Sequence, residues 1–317
     1  MKPSQNSNWA CWIGPNPDVG NMDKRQSLEN DAAVTAEDEQ STSEPGIVEA
    51  SVDVWTAHQH SAADSQLDVQ TITDKIAEET AVALVYNDLS HAVMMVSPTD
   101  LEAFAIGFSL TEGIIESSND IYDLQLIHGA VGIEVKISVS NQCFAGLKDR
   151  RRSLTGRTGC GICGAESLQQ IRLPVKPVTG DCVISHAAIQ HATQALADNQ
   201  PIQSVTGAVH GAAWCDPDGT ILQLCEDVGR HNALDKLVGR MCQEGLSAAA
   251  GFLLISSRAS YEVVQKAAMA GMPVVVAVSA PTTMALEVAQ QANISLVGFS
   301  SAGRHVVYTN SQRLTQV

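Results

Sequence analysis

Residues 251–299 read GFLLISSRASYEVVQKAAMAGMPVVVAVSAPTTMALEVAQQANISLVGF. Three short apolar runs, at 251–255, 273–278 and 294–299, recur about every 21 residues, and helical patterns at 260–270 and 282–292 separate them. Continuous apolar runs of this length indicate strands that are buried on both faces, as in parallel sheets covered by helices. The stretch therefore predicts a β-α-β-α-β unit and an α/β fold.

Hydroxyl side chains follow each of these predicted strands, and an arginine follows the first and the third. Parallel sheets bind ligands beyond the carboxyl ends of their strands, where helix N-termini and arginines both favour phosphate. The edge is thus a candidate nucleotide or pyrophosphate site, supported mainly by Arg258 and Arg304, whereas the hydroxyls alone are explained as well by capping of the helices. The three loops read Ser256-Ser257-Arg258-Ala259-Ser260, Ser279-Ala280-Pro281-Thr282-Thr283 and Phe299-Ser300-Ser301-Ala302-Gly303-Arg304.

Upstream of this unit the chain divides into three further segments. Residues 1–68 are polar and acidic without a sustained period, which predicts a disordered acidic tail. Residues 69–155 predict a small α+β unit with a hairpin at 81–96, a helix after Pro98-Thr99-Asp100 and a strand at 133–139. Residues 156–176 form a mobile, glycine-rich Cys-x-x-Cys loop, and the α/β domain takes up residues 177–317. That domain also contains two predicted helices, capped by Ser185 and Asn232.

The composition limits the class of protein. A chain of 317 residues with 44% hydrophobic residues can bury a core, and its net charge of −16 argues against nucleic acid as a partner. No apolar run approaches the roughly 18 residues needed to span a bilayer, and no signal stretch opens the chain. We expect a cytoplasmic protein without a membrane partner, whose eight cysteines are mostly reduced thiols.

One cysteine pair has a spacing that calls for a chemical explanation. It lies in Thr158-Gly159-Cys160-Gly161-Ile162-Cys163-Gly164, after Arg150-Arg151-Arg152 and Arg157. Glycines leave the thiols little cover and nearby cations stabilise a thiolate, so a cysteine here can accept a sulfane sulfur as a persulfide and pass it on.

Three alternatives remain open for this loop. A zinc site needs four ligands, and His210 with Cys215 would have to complete it. A thioredoxin-like disulfide normally sits at a helix start after the first strand, unlike this loop in mid-chain. The loop could also be merely flexible, with two unreactive thiols.

A second polar segment precedes the helix predicted at 232–245. Asn232 and Gly229 are explained by a cap and a tight turn, while Asp227, Arg230 and His231 are typical of a polar site wall, and we expect both. His210 is a further candidate, with a packed structural histidine as the equal alternative. The segment reads Glu226-Asp227-Val228-Gly229-Arg230-His231-Asn232-Ala233-Leu234-Asp235-Lys236.

Together these motifs resemble the FdhD family of formate dehydrogenase accessory sulfurtransferases over residues 70–310. The cysteine loop and the segment 226–236 match that family's two signatures, and the match continues through Pro98-Thr99-Asp100, Arg258-Ala259-Ser260 and Val297-Gly298-Phe299. The resemblance implies a cytidine-deaminase-like α/β core with a smaller α+β N-terminal unit. It also implies a homodimer that transfers sulfur from a cysteine desulfurase to the molybdenum bis(molybdopterin guanine dinucleotide) cofactor of formate dehydrogenase.

The resemblance also assigns roles to residues. It makes Cys160 the persulfide carrier and Cys163 a secondary thiol, and no permanent metal is expected. The cofactor, or a guanine nucleotide in the same site, would bind at Phe299, Ser300, Ser301, Ala302, Gly303 and Arg304. We add to that binding set the sheet-edge residues Arg258, Ser279 and Thr282 and the further candidates His210, Asp227, Arg230 and His231.

Two features of the sequence depart from the family. Ser301 stands where the family usually has an arginine, and the long acidic tail is atypical.

A zinc deaminase needs His-x-Glu and Pro-Cys-x-x-Cys. Here Ala212 takes the place of the glutamate and no Pro-Cys-x-x-Cys follows, so deamination is not expected. A chaperone that binds the cofactor without transferring sulfur is the main alternative.

Overall fold

The computed structural model describes residues 44–59, 65–155 and 175–316. Residues 1–43 of the predicted tail lie outside this part of the chain, and so does almost all of the predicted cysteine loop, including Cys160 and Cys163. Among the described residues, no helix has the length and apolar character that crossing a membrane requires.

The N-terminal part contains a two-stranded ribbon and a four-stranded sheet. The ribbon consists of antiparallel β1 and β2, and the sheet has the order β4-β3-β6-β5 with β3 and β6 parallel. The elements are β1 (Ile47–Gln59), β2 (Ser65–Ala77), β3 (Thr80–Tyr86), β4 (Leu89–Val96), α1 (Leu101–Thr111), β5 (Ile121–Gly129), β6 (Gly132–Val139) and α2 (Asn141–Thr155).

The C-terminal part is built on a six-stranded sheet of order β13-β12-β11-β10-β8-β9. β10, β11 and β12 are parallel and are joined by α6 and α7, which confirms the predicted β-α-β-α-β unit. The elements are β7 (Ile184–Ser185), α3 (His186–Ala195), α4 (Pro201–Thr206), β8 (His210–Cys215), β9 (Ile221–Asp227), α5 (Arg230–Gln243), β10 (Phe252–Ile255), α6 (Tyr261–Met269), β11 (Val274–Ala277), α7 (Thr283–Gln291), β12 (Ser295–Ser301), β13 (Arg304–Thr309) and β14 (Leu314–Thr315).

Helices cover both faces of the six-stranded sheet. Alternate residues of the central strands, such as Leu254 and Val276, pack against α3, while Leu253 and Val275 pack with α5, α6 and α7. The apolar cluster that contains Leu253 and Val275 continues through α1 into the four-stranded sheet, so the two predicted units share one core.

α1 and α5 cross at two glycines. A Cβ atom at Gly107 would lie 1.7 Å from the carbonyl oxygen of Asp235, and one at Gly239 would lie 1.9 Å from the carbonyl oxygen of Ala103. The two backbones are therefore in contact, which fixes the four-stranded sheet against the six-stranded one.

The predicted α+β unit is largely confirmed. The hairpin β3–β4 turns at Asn87 and Asp88, whose φ angles of 45° and 63° are those of a tight two-residue turn. α1 and β6 occupy the predicted stretches, and Ser185 caps α3 by accepting the Ala188 N–H at 3.0 Å.

The predicted end of the tail at residue 68 is wrong. β1 lies wholly within residues 1–68 and β2 begins at Ser65. The apolar residues of β1 alternate with polar ones, from Val48 to Val54, and this period-2 pattern of a strand is obscured by the acidic composition of the segment. Among the ribbon residues whose side chains are described, only Ile47 at its base is buried, while Trp55 further along is 64% exposed.

Candidate functional site

The loops after β10, β11 and β12 meet at one edge of the six-stranded sheet, as the sequence predicts. The Thr282 N–H donates to the Ala259 carbonyl at 3.0 Å, and the Phe299 N–H donates to the Ser279 carbonyl at 3.1 Å. We call this edge the rim. It brings together Arg258, Ser279, Thr282 and residues 299–304.

β8 and β9 extend the rim beyond β10. Because β8 runs antiparallel to β10, its first residue, His210, lies at the edge where β10 ends. Asp227 lies opposite His210 at the end of β9, and α5 begins just beyond it with Arg230 and His231. Since neighbouring strands are about 4.8 Å apart, six strands make the rim roughly 24 Å long.

Three arginines give the rim a local positive charge in a protein whose net charge is −16. Arg258 and Arg304 are exposed, while Arg230 is half-buried and its buried Nε has no hydrogen-bond partner. No carboxylate in the described ranges is ion-paired with any of the three. Because a buried donor without an acceptor is unfavourable, the rim favours an anionic ligand rich in acceptor atoms.

Two of the rim hydroxyls have partners inside the protein. Thr282 Oγ1 accepts the Ala285 N–H at 3.4 Å and so caps α7, as the simpler explanation requires. Ser300 is fully buried, with its Oγ 2.7 Å from Thr193 Oγ1. The arginines, rather than these hydroxyls, are the groups of the rim that are available to a ligand.

The two rim histidines have different surroundings. Burial and the charge of Arg230 lower the pKa of His210, although Asp227 opposes them, so a neutral imidazole is favoured there. His231 Nε2 lies 2.7 Å from Glu262 Oε2, and burial lowers its pKa against the effect of that carboxylate. His210 is thus a neutral polar group at the rim, whereas Glu262 holds His231 in place.

Asp227 has its carboxylate turned into the fold. It is fully buried, lies 2.6 Å from Lys236 Nζ, and accepts the Ser97 and Gly229 N–H groups. Asn232 donates its side-chain amide to the same carboxylate. The predicted capping role of Asn232 is therefore wrong, because Gly229 is the residue that precedes α5 and Asn232 lies in its first turn.

Residues 299–304 turn the chain from β12 into β13. Phe299 has a φ of 52°, which is unusual for a bulky residue, and is 41% exposed. Gly303, with a φ of 74°, provides the left-handed conformation of the turn. Arg304 supplies the guanidinium of this segment.

A shallow, solvent-open cavity of about 480 Å³ lies beside this turn, between α3 and β13. Its lining includes Gly303 and Arg304, which the sequence predicted, and His186, Gln190 and His305, which it did not. His186 and Gln190 lie one turn apart on α3, whereas His305 lies in β13, more than a hundred positions away, so no local spacing could have linked the histidines.

The zinc alternative that relies on His210 and Cys215 does not fit the structure. The two residues occupy opposite ends of β8, about 17 Å apart at 3.4 Å per residue. Cys215 is fully buried, and burial raises the pKa of its thiol to about 12. Across the described part of the chain, no three His, Cys, Asp or Glu residues are grouped so as to hold a metal ion.

Cys160 and Cys163 lie outside the described residues, so their roles stay predictions. The chain that follows them is anchored at the edge of the sheet opposite the rim. There the Val178 N–H donates to the Ala292 carbonyl at 2.8 Å, and Asn293 donates to the Val178 carbonyl.

Comparison with known proteins places the chain in a family. The model of the FdhD/NarQ family matches residues 77–315. A crystal structure of a proposed formate dehydrogenase accessory protein from Desulfotalea psychrophila has a similar fold, with a TM-score of 0.62 and 23% sequence identity. That match covers 84% of this chain and 99% of the other, and it confirms the fold class expected from the resemblance. Because the family match spans most of the sequence, the chain belongs to the FdhD/NarQ family.

Proposed function

We propose that this protein is a formate dehydrogenase accessory protein that acts as a sulfurtransferase. It carries sulfur from a cysteine desulfurase, as a persulfide on Cys160, to the molybdenum bis(molybdopterin guanine dinucleotide) cofactor. Family membership and the description of the Desulfotalea psychrophila protein support the role as a formate dehydrogenase accessory protein. The observation that carries the proposal is the rim, where three arginines that pair with no carboxylate of the described residues suit a phosphate-bearing cofactor.

The loading step is a transfer between thiols. The Cys160 thiolate attacks the outer sulfur of the desulfurase persulfide, a new S–S bond forms on Cys160, and the donor cysteine leaves as a thiolate. The arginines before the loop, Arg150-Arg151-Arg152 and Arg157, favour the thiolate over the thiol. No external oxidant or reductant is needed.

Cys163 assists the release of the sulfur. Its thiolate attacks the inner sulfur of the Cys160 persulfide, which forms a disulfide between the two cysteines and frees the outer sulfur as hydrosulfide. The two electrons that reduce the sulfane sulfur come from the two thiols, so a cellular dithiol must reduce the Cys160–Cys163 disulfide, by thiol–disulfide exchange, before the next cycle.

The rim would hold the cofactor as a substrate. Arg258 and Arg304 are exposed and can pair with phosphate oxygens, and the unpartnered Nε of Arg230 can donate to another acceptor. The exposed ring of Phe299 offers a surface on which a guanine base can stack. We place the protein in the cytoplasm as a homodimer that meets the desulfurase and formate dehydrogenase in turn.

Intact-mass measurement tests the sulfur transfer. After incubation with a desulfurase and cysteine, the wild-type protein should gain about 32 Da for each persulfidated thiol. Cys160→Ala should lose this gain and fail to restore formate dehydrogenase activity in cells that lack the protein, while Cys143→Ala, at a half-exposed cysteine of α2, should behave as the wild type does.

A persulfide that still forms in Cys160→Ala would contradict the role of that residue. A wild-type protein that gains no mass, yet binds the cofactor and supports the enzyme, would favour the chaperone that only holds the cofactor.

A further inference from the structure

The cavity between α3 and β13 contains two histidines in direct contact. The rings of His186 and His305 are nearly parallel, with an interplanar angle of 16° and centroids 4.8 Å apart, and His186 Nδ1 lies 2.5 Å from His305 Nε2. Gln190 lies one helical turn after His186, and its Nε2 is 2.8 Å from the other ring nitrogen of His305. Of the rim residues, only Gly303 takes part in this cluster, through a hydrogen bond to Gln190.

The direction of every hydrogen bond in this cluster is fixed from one end. The Gly303 backbone N–H can only donate, and it donates to Gln190 Oε1 at 2.6 Å. Gln190 Nε2 is therefore the amide nitrogen and donates to His305 Nδ1. His305 then carries its proton on Nε2 and donates to His186 Nδ1, which leaves the His186 proton on Nε2.

The end of this chain is a hydrogen-bond donor at the cavity. His186 lines the cavity beside the exposed Arg304, and none of the residues that line it is acidic. Burial and the neighbouring His186 lower the pKa of His305, which favours its neutral, directed form. A ligand that enters meets a guanidinium and an N–H donor, an arrangement that suits phosphate oxygens.

We propose that this cavity is an anion subsite, in which His186 Nε2 and the Arg304 guanidinium bind a phosphate group. Gln190 and His305 are positioning residues, because they act only through the orientation of His186. If the proposed function holds, the phosphate is one of those in the guanine dinucleotide. That identification rests on the proposed function, while the anion subsite itself does not.

Calorimetric titration with inorganic pyrophosphate at low salt tests the subsite. His186→Ala and Arg304→Ala should each weaken binding by roughly tenfold, since each removes one direct contact with the anion. His191→Ala is the matched control, because this exposed histidine of α3 does not line the cavity and should bind as the wild type does. A wild-type protein that does not bind pyrophosphate, or two variants that bind it unchanged, would overturn the proposal.

The positioning role has its own test. In the ligand-free protein, nitrogen NMR of His305 should show Nδ1 without a proton and Nε2 with one, and the opposite tautomer would refute the directed chain. Gln190→Glu can still accept from Gly303 but cannot donate to His305, so it should reverse the tautomer and weaken pyrophosphate binding. A Gln190→Glu protein that keeps both the tautomer and the affinity would also refute it.

Two comparisons identify the source of the phosphate and separate this proposal from the carrier function. Tighter binding of guanosine diphosphate than of pyrophosphate supports a nucleotide ligand, and equal binding supports free diphosphate at the same subsite. A protein that binds pyrophosphate but accepts no sulfur refutes only the carrier function. One that accepts sulfur but binds no pyrophosphate refutes only the subsite.

Discussion

The segment 226–236 shows how one run of residues serves both the fold and the site. Glu226 accepts the Ile202 and Gln203 N–H groups and so caps α4. Lys236 is fully buried and donates to Asp227 and to the Ser97 carbonyl. Most of this motif therefore joins the end of β4 to the six-stranded sheet, and Arg230 and His231 are its residues that border the rim.

Replacing Lys236 should be strongly destabilising. Lys236→Met leaves the buried Asp227 carboxylate without its counter-charge, which we expect to lower the free energy of unfolding by about 3–5 kcal/mol. Urea denaturation of the two proteins measures the difference.

Arg240→Met, one turn further along α5, is the matched control. Arg240 pairs with Asp100 at 3.4 Å, and both side chains are partly exposed. Such a pair contributes about 1 kcal/mol or less. Equal losses of unfolding free energy in the two variants would show that the Asp227–Lys236 pair is not the joint between β4 and the six-stranded sheet.

The crossing of α1 and α5 is the contact between elements that tolerates least change. Gly107→Ala puts a Cβ atom where the Asp235 carbonyl oxygen now lies, and no side-chain rotation can relieve a clash with backbone. We expect a loss of about 3 kcal/mol, at the upper end of the usual cost of overpacking. Thermal unfolding followed by circular dichroism measures it.

A second glycine in a helix provides the control for this substitution. Gly146 of α2 is exposed, and a Cβ atom there would meet nothing within 4 Å. Gly146→Ala should stabilise the protein by up to about 1 kcal/mol, because alanine is the better helix former. A similar effect at both sites would mean that the helices do not touch at Gly107.

The elements that the sequence predicts well are those with a strong local pattern. The sequence stretches that form β10, β11 and β12 are continuously apolar, and Asn87-Asp88 marks the β3–β4 turn. The ribbon was missed because most of it lies in residues 1–68, a segment that is polar and acidic as a whole, although the period-2 pattern of β1 was present. The cavity at His186 and His305 depends on the packing of α3 against β13, which no single stretch of sequence encodes.

At the scale of the whole molecule, one core spans both sheets. The cluster that contains Val82 and Leu84 of β3 also contains Leu253 of β10 and Val275 of β11. The joint at Lys236 and the crossing at Gly107 lie on the same boundary between the sheets. Because one apolar cluster continues across both sheets, the two sheets should unfold together, as in a single cooperative domain.

Hydrogen exchange at increasing denaturant concentration tests this cooperativity. Amides of β3 and β6 should lose protection at the same denaturant concentration as amides of β10 and β11. Lys236→Met should lower that concentration by the same amount in both sheets. The outer part of the β1–β2 ribbon, where Trp55 is exposed, should exchange far more readily, because an isolated pair of strands is only marginally stable. If the four-stranded sheet exchanged at a lower concentration than the six-stranded one, the two would be separate folding units and the joint would be an interface between them.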